Sequence, residues 1–241
     1  MSFKVMALIA RKPGMSREDF VAYYEANHVK LVWRVFKVTD YRRNYVDMRG
    51  AIMAPGMPDP DFDSVTELWF ANRADYDAML AAHAETNIGA QVTADEEQFL
   101  DRSKMRFFIV DEHGATSAGD ADTAPGMKVI ALLSCKKGLS KADFINYYET
   151  RHVPLIRSKF GNIAEYRRNF VDLNGAIIAD TVAPPDFDVV TELWFKDRSG
   201  YEAMLAAHAN PEVGQAIAND EENFLDRSKT RFFVVEENKA R

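Results

Sequence analysis

Two nearly identical stretches of the sequence each contain a histidine whose chemistry suits proton transfer. Residues 23–31 read YYEANHVKL and residues 147–155 read YYETRHVPL, so His28 and His152 occupy the same place in each stretch. A histidine can accept or donate a proton near neutral pH, as general acid–base catalysis requires. The same position also suits a histidine that caps a helix end or fills a niche in the core. Catalysis and packing are therefore two open interpretations.

The spacing of neighbouring side chains predicts a helix that carries each histidine on one face, and Pro154, soon after His152, favours a helix end or a kink there. Residues at intervals of four, four and three share one helical face, here Phe20, Tyr24, His28 and Leu31. Tyr148 precedes His152 in the same way. We therefore expect Tyr24 and Tyr148 to line a substrate site, and Glu25 or Glu149 to orient the imidazole if the geometry permits.

A predicted strand with the sequence TELWF occurs in both halves and carries a carboxylate beside an indole. Side chains alternate between the two faces of a strand, and the face toward the helices should be uniformly apolar. This assigns Glu67 and Trp69, with their counterparts Glu192 and Trp194, to the opposite face. A buried carboxylate there could be a general base with a raised pKa, or one half of a structural ion pair.

The strand before TELWF carries basic and amide side chains. Arg42 and Arg167 could bind a carboxylate or phenolate substrate, or could pair with the glutamates instead. Asn44 and Asn169 could donate hydrogen bonds to an oxyanion. We therefore include all four among the candidate substrate-binding residues, together with the two tryptophans.

These matched segments belong to a repeat that runs through the chain of 241 residues. His152 follows His28 by 124 positions, and FLDRSKMRFFIV near the middle of the chain is answered by FLDRSKTRFFVV near its end. Each copy has the size of a domain. The sequence predicts two domains, 1–111 and 127–237, which are called the first and second copy below. Residues 112–126 are rich in Gly, Ala, Ser, Thr and Asp, which predicts a flexible tether.

Within each copy, the order of apolar, alternating and helical patterns predicts β-α-β-β-α-β, the ferredoxin-like arrangement. Both helices of such a unit cover one face of the sheet, so the other face must be buried against something else. The second copy can supply that partner. We therefore predict an α+β fold in which two tandem ferredoxin-like domains form an intrachain pseudo-dimeric α/β barrel.

The segments YYETRHVPL, Y-x-x-N-x-V, ELWF and DEENFLD, in this order and spacing, resemble the EthD domain of the dimeric α/β-barrel superfamily. The resemblance covers both halves and implies a ligand pocket between the sheet and the helices. Relatives act on small organic molecules, often aromatic or polyketide-derived, and several need no metal or organic cofactor. The first copy departs from the second, with Lys30 for Pro154 and Trp33 for Arg157, so the two pockets need not be equivalent.

Composition excludes several other classes of function. The formal net charge of −7 argues against nonspecific nucleic-acid binding, because no surplus of basic residues can neutralise phosphates. A single cysteine, Cys135, rules out an intrachain disulfide and fits a reducing, cytoplasmic location. No apolar run is long enough to cross a bilayer. The sequence contains no H-E-x-x-H and no pair of histidines at i, i+4, and we expect no metal and no cofactor.

These observations lead to one functional hypothesis and two alternatives. The first is a cofactor-independent lyase, dehydratase or isomerase that acts on a small aromatic or cyclic metabolite by acid–base chemistry, with His152 ranked before His28. One alternative is a haem- or oxygen-dependent monooxygenase of the same superfamily, with a histidine on iron. The other is a noncatalytic protein that binds a small ligand. The pseudo-dimer could also associate into a further homodimer.

Overall fold

The structure is a computed structural model that describes residues 2–84, 86–114 and 126–239. In chain order, the first copy contains β1 (Phe3–Ile9), α1 (Arg17–Tyr23), α2 (Val29–Val35), β2 (Val38–Met53), β3 (Ser64–Phe70), α3 (Arg73–Ala84), α4 (Thr86–Phe99) and β4 (Arg106–His113). A π-helical turn, Tyr24–His28, joins α1 to α2, and a short 3₁₀ turn, Arg102–Lys104, precedes β4.

The second copy repeats this order element by element. It contains β5 (Met127–Leu133), α5 (Lys141–Tyr147), α6 (Val153–Lys159), β6 (Ile163–Ile178), β7 (Val189–Phe195), α7 (Arg198–His208), α8 (Pro211–Glu221) and β8 (Arg231–Asn238). The π-helical turn Tyr148–His152 and the 3₁₀ turn Arg227–Lys229 recur at the same places. The helices α4 and α8 are additions to the predicted β-α-β-β-α-β order.

The eight named strands close into one antiparallel barrel in the order β1-β3-β2-β8-β5-β7-β6-β4. Two seams join the copies, because β2 pairs with β8 and β4 pairs with β6. The predicted α+β fold, a pseudo-dimeric barrel made within one chain, is thus confirmed. The duplication supplies the partner that buries the second face of each sheet.

Alternation along the strands creates two kinds of core. On β1, Val5, Ala7 and Ile9 pack beneath the helices of the first copy, while Met6 and Leu8 point into the barrel. The barrel interior also collects apolar side chains from both copies, among them Val65, Phe108, Ile130, Val190 and Phe233. Burying a large apolar side chain contributes about 1.5–3 kcal/mol, so this shared core holds the copies together.

The two histidines lie in the middle of a helical segment and not near its end. Helix α2 continues from His28 to Val35, and α6 continues from His152 to Lys159. The predicted helix end is therefore wrong, and these histidines do not cap a helix C-terminus. Pro154 lies at the start of α6, directly after the π-helical turn.

The predicted tether begins later than the composition suggested. Strand β4 extends to His113, and Glu112 is part of that strand. Residues 115–125 of the tether lie outside the described residues. Within the described ranges, no helix is both long enough and apolar enough to cross a membrane.

Candidate active site

A cavity of 340 Å³ lies between the sheet and the helices of the first copy. Ala7 and Ile9 of β1 contribute to its sheet side, while Val32, Met79 and Val92 of the helices contribute to its other side. Its volume falls within the range of roughly 300–1,000 Å³ that is typical of small-molecule sites. The mostly apolar lining favours a hydrophobic ligand, and the few polar groups at its wall can orient one.

His28 borders this cavity and is held by a carboxylate from another helix. Its Nδ1 lies 2.7 Å from Oδ2 of Asp95 on α4, and the Tyr23 hydroxyl donates to Oδ1 of the same carboxylate at 3.1 Å. A carboxylate accepts hydrogen bonds, so it favours the proton on Nδ1 and leaves Nε2 as the basic nitrogen. The imidazole ring of His28 is thus held in place by Asp95.

The second copy contains the same arrangement. Nδ1 of His152 lies 2.7 Å from Oδ2 of Asp220 on α8, and Tyr147 donates to Oδ1 of Asp220 at 3.1 Å. Both histidines are buried, and each packs edge-on against the tyrosine four residues earlier. The contact is therefore a property of the domain and is made twice in this chain.

The carboxylates adjacent in sequence do not orient the histidines. Glu25 instead accepts from Nε of Arg43 at 2.9 Å and from the Tyr45 hydroxyl at 2.6 Å. Glu149 accepts from Nε of Arg168 at 2.8 Å. The expectation that Glu25 or Glu149 would be the partner is wrong, because both carboxylates are already paired with arginines of the sheet.

Glu96 supplies a second ionisable group at the cavity wall. Its side chain is buried, and burial raises its pKa against the opposing influence of His28, Arg102 and His83. Oε2 of Glu96 lies 3.1 Å from Nε of Arg102, which also borders the cavity. A carboxyl with a raised pKa retains its proton at higher pH and can act as a general acid.

Three hydroxyl groups form a chain along the sheet side of the cavity. Tyr41 donates to the hydroxyl of Tyr24 at 3.0 Å, and the Tyr24 and Thr66 hydroxyls lie 3.1 Å apart. Burial raises the pKa of Tyr24, so its hydroxyl stays neutral and available for hydrogen bonding. Tyr148 holds the equivalent position in the second copy, where burial raises its pKa to about 12.

Two lysines hold Glu67 and Glu192 inside the barrel, on the other face of the sheet from the cavity. Nζ of Lys4 lies 2.6 Å from Glu67 and 3.2 Å from Glu192, while Nζ of Lys128 lies 2.7 Å and 2.5 Å from the same two carboxylates. Burial opposes ionisation of Glu67, but Lys128 and Lys4 outweigh it and keep its pKa well below the ordinary value. Burial and the adjacent Glu67 raise the pKa of Glu192.

The two asparagines belong to this ion-pair network. Nδ2 of Asn44 donates to Glu67 at 2.8 Å, and Nδ2 of Asn169 donates to Glu192 at 2.7 Å. The oxygen of Asn169 also accepts from Lys4 at 2.7 Å. These amides therefore satisfy buried carboxylates in the barrel.

The arginines and tryptophans lie beside the same network. Nε of Arg42 donates to Asp40 at 2.8 Å, and its guanidinium lies 5.0 Å from the ring centre of Trp69. Arg167 is 5.2 Å from the ring centre of Trp194 in the equivalent contact. The geometry favours the structural interpretation of these side chains, in which cation–π contacts and ion pairs stabilise the barrel.

The predicted site residues thus separate onto two faces of the sheet. The structure brings His28 and Tyr24 to the cavity, and it places Glu67, Asn44 and Trp69 with their counterparts inside the barrel. A single site containing all twelve candidates does not form. The interior is occupied by paired charges and apolar side chains, so the cavity beneath the helices is the better candidate site.

Among the site and network residues that the sequence analysis missed are Asp95, Glu96, Lys4 and Lys128. The first two lie in DEEQFLD, which is repeated as DEENFLD in the second copy, a segment used there only for its resemblance. The lysines stand in strands that are otherwise apolar, and they do so in both copies. A charged residue repeated within a buried strand is the signal that indicates a paired interior charge.

Cys135 and metal binding add nothing further to this site. Burial and the neighbouring Asp188 raise the pKa of the Cys135 thiol to about 11, which makes it a poor nucleophile. In residues 2–84, 86–114 and 126–239, no group of three or more His, Cys, Asp or Glu side chains is placed to hold a metal ion.

Known structures share the fold at very low sequence identity. An anthrone oxidase-like protein has a TM-score of 0.59 at 7% identity, and the alignment covers 99% of this chain and 93% of that one. A putative monooxygenase from Fusobacterium nucleatum has a TM-score of 0.56 at 10% identity over 99% and 94% of the two chains. A putative chlorite dismutase has a TM-score of 0.52 at 12% identity over 98% and 94%. These likenesses concern the fold alone.

The sequence comparisons identify the family. No curated protein matches the chain. The model of the EthD domain matches residues 12–103 and again residues 136–228, which together make up most of the chain. The two matches correspond to the two copies, and both include the histidine and the carboxylate that orients it. The protein therefore belongs to the EthD family and carries two EthD domains in one polypeptide.

Proposed function

We propose that the first-copy cavity binds a small aromatic or cyclic metabolite and that His28 transfers a proton to or from it, without a cofactor. The observation that carries the proposal is the 2.7 Å contact between Nδ1 of His28 and Asp95, made by an imidazole that borders an apolar cavity. The described cavity adjoins His28, so the proposal ranks His28 ahead of His152, which reverses the order suggested by the sequence.

The chemistry requires one group that removes a proton and one that supplies it. Nε2 of His28 would take a proton from a carbon that is next to a carbonyl or conjugated with it through an aromatic ring, and Glu96 would donate its proton to the carbonyl oxygen or to a departing hydroxyl. In an isomerisation the substrate receives the proton back at another carbon. In an elimination the departing hydroxyl leaves as water. The pocket thus suits isomerase, dehydratase or lyase reactions.

The hydroxyl chain and the apolar walls support this assignment. Tyr24, Tyr41 and Thr66 offer neutral hydrogen bonds to a substrate oxygen, while Leu68 and Met79 can contact a hydrocarbon ring. Removal of water from such a pocket strengthens the electrostatic interactions of the His28–Asp95 pair. The same features would let a noncatalytic protein bind the ligand, so turnover is the decisive measurement.

Anthrone, a tricyclic ketone with acidic CH₂ hydrogens, is a suitable test substrate for this chemistry. Deuterium exchange of these hydrogens in D₂O, followed by NMR, reports proton removal directly. We expect the protein to accelerate exchange and His28→Gln to reduce the acceleration by roughly 10²–10⁴-fold. His152→Gln is the matched control and should leave most of the acceleration.

Other outcomes would favour the alternatives. A loss with His152→Gln but not with His28→Gln would contradict the choice of the first copy. Binding of anthrone with no exchange above the background would favour a noncatalytic ligand-binding protein. A Soret band in the purified protein would favour the haem-dependent alternative.

A further inference from the structure

The second copy contributes a segment to the cavity of the first copy through an irregularity in strand pairing. Strand β6 pairs with β4, with Ile177 opposite Phe107 and Asp172 opposite Ile109. Residues 173–176 of β6 therefore bulge out between these two pairs, where β4 has a single intervening residue. Such a bulge redirects the side chains that follow it.

The bulge is built by specific local contacts. Oδ1 of Asp172 accepts from the backbone N–H of Asn174 at 3.0 Å, and Gly175 has a φ of +80°, a conformation that favours glycine. The first copy repeats the same device on β2, where Asp47 and Gly50, with a φ of +82°, hold the corresponding positions. The repetition in both copies shows that the bulge is part of the domain.

The chain beyond the bulge is fastened to the first copy. The N–H of Ala179 donates to the carbonyl of Met105 at 3.1 Å, and the Thr181 hydroxyl donates to the carbonyl of Ser103 at 2.6 Å. Met105 itself borders the cavity. Ile177 is thereby held against the rim of a cavity whose other described lining residues all come from the first copy.

Ile177 borders the cavity and is also 43% exposed to solvent, so its side chain lies at the mouth. Leu173, also exposed, lies on the same bulged segment of β6, whereas the exposed Met48 and Ile52 lie on the bulge of β2 at the other seam. Ile177 would therefore contact the outer part of a bound ring system.

We infer that Ile177 is a specificity-determining residue of the first-copy site and that this site is incomplete without the second copy. The inference rests on the proposed function only in that the cavity must bind a small apolar ligand. Ile177 would limit the length of ring system that fits between the mouth and His28. The counterpart Ile52 would have no influence on this site, because it lies on the bulge of β2, which pairs with β8.

Binding of two phenols of different size to the full chain tests the inference. We would titrate the protein with 2-naphthol and 1-hydroxypyrene, follow their fluorescence, and use the imidazole NMR signals to confirm that the probe is beside His28. Ile177→Trp should weaken 2-naphthol binding at His28 by about tenfold, since an added ring narrows the mouth. Ile177→Ala should shift the preference toward 1-hydroxypyrene by about fivefold.

Ile52→Trp and Ile52→Ala are the matched controls, since they make the same changes at an equally exposed position on the other bulge. The inference is overturned if they alter binding at His28 as much as the Ile177 variants do, or if neither Ile177 variant alters it. Loss of anthrone exchange with intact probe binding would refute only the proposed catalysis. If neither phenol perturbs His28 in the unaltered protein, the binding site itself is refuted, and the inference with it.

Discussion

Nδ1 of His28 and Oδ2 of Asp95 lie 2.7 Å apart although 67 residues separate them in the sequence. The contact joins the π-helical turn to α4, so it positions the imidazole and fastens the outer helix at the same time. Because Tyr23 donates to the other oxygen of Asp95, the carboxylate is held at both of its oxygens. The orientation of His28 therefore depends on a helix that is not adjacent to it along the chain.

Replacing Asp95 by Asn should impair proton transfer while the fold is retained. An amide can place its NH₂ group toward Nδ1, which favours the opposite tautomer and removes the basic character of Nε2. We expect the anthrone exchange rate to fall by roughly 10²-fold or more. The pH dependence of exchange and the thermal midpoint should be measured together. Equal rates for Asp95→Asn and its counterpart Asp220→Asn would contradict the first-copy assignment.

Replacing Glu96 by Gln should change how stability depends on pH. The pKa of Glu96 is raised in the folded state, so its stabilising contribution is complete at low pH and is lost as pH rises through the raised pKa. A glutamine stays neutral throughout. The thermal midpoint of Glu96→Gln should therefore decline less than that of the unaltered protein as pH rises above 4.5, the ordinary pKa of a glutamate. Glu97→Gln, at an exposed neighbouring position, is the control. If the thermal midpoints of Glu96→Gln and the unaltered protein change with pH in parallel, the expectation is refuted.

Replacing Lys4 by Met should strongly destabilise the barrel. The change leaves Glu67 and Glu112, which lie 2.6 Å and 2.7 Å from Nζ of Lys4, with one fewer cation in a buried network. Removing one partner of a buried ion pair costs about 3–5 kcal/mol. Urea denaturation gives the free energy of unfolding. Lys137→Met, an exposed change of the same kind, should cost less than about 1 kcal/mol, and similar losses for both variants would argue against the network.

The barrel network should also make the protein sensitive to acid. Burial opposes ionisation of Glu237, but Lys128 outweighs it and lowers the pKa of Glu237 below its ordinary value of 4.5. The stability that this carboxylate contributes is therefore complete above that value and is lost as pH falls through the lowered pKa. Glu237→Gln should be less stable at neutral pH and should lose less stability on acidification. The free energy of unfolding should be measured by urea denaturation at several pH values, with the exposed Glu202→Gln as the control. If this free energy depends on pH in Glu237→Gln as it does in the unaltered protein, the account is contradicted.

The repeat and the strand alternation predicted the fold because both follow from local patterns. TELWF places Glu67 and Leu68 on opposite faces whatever surrounds it, and the structure has Glu67 in the barrel and Leu68 in the helix-side core. The need to bury a bare sheet face then predicted the pairing of copies. These steps require only periodicity and burial.

The partner of His28 could not be predicted in the same way. Asp95 reaches the imidazole only because α4 packs against the π-helical turn, and no pattern near His28 indicates where that helix will lie. The π-helical turn could not be predicted either, because YYEANHVKL has the pattern of an ordinary helical face. Glu67 and Glu192 were placed on the right face, yet their lysine partners come from strands that the sequence presents as apolar.

The bulges on β2 and β6 have an evolutionary consequence for a chain that carries both copies. In an assembly of two identical subunits, any substitution at such a rim appears at both pockets simultaneously. Here one codon alters one rim, and the copies already differ, since Ile156 and Ile217 of the second copy replace Val32 and Val92, which line the first-copy cavity. Joining of the two copies in one chain therefore lets the residues around the first-copy cavity change independently of their counterparts, while both copies continue to share one barrel.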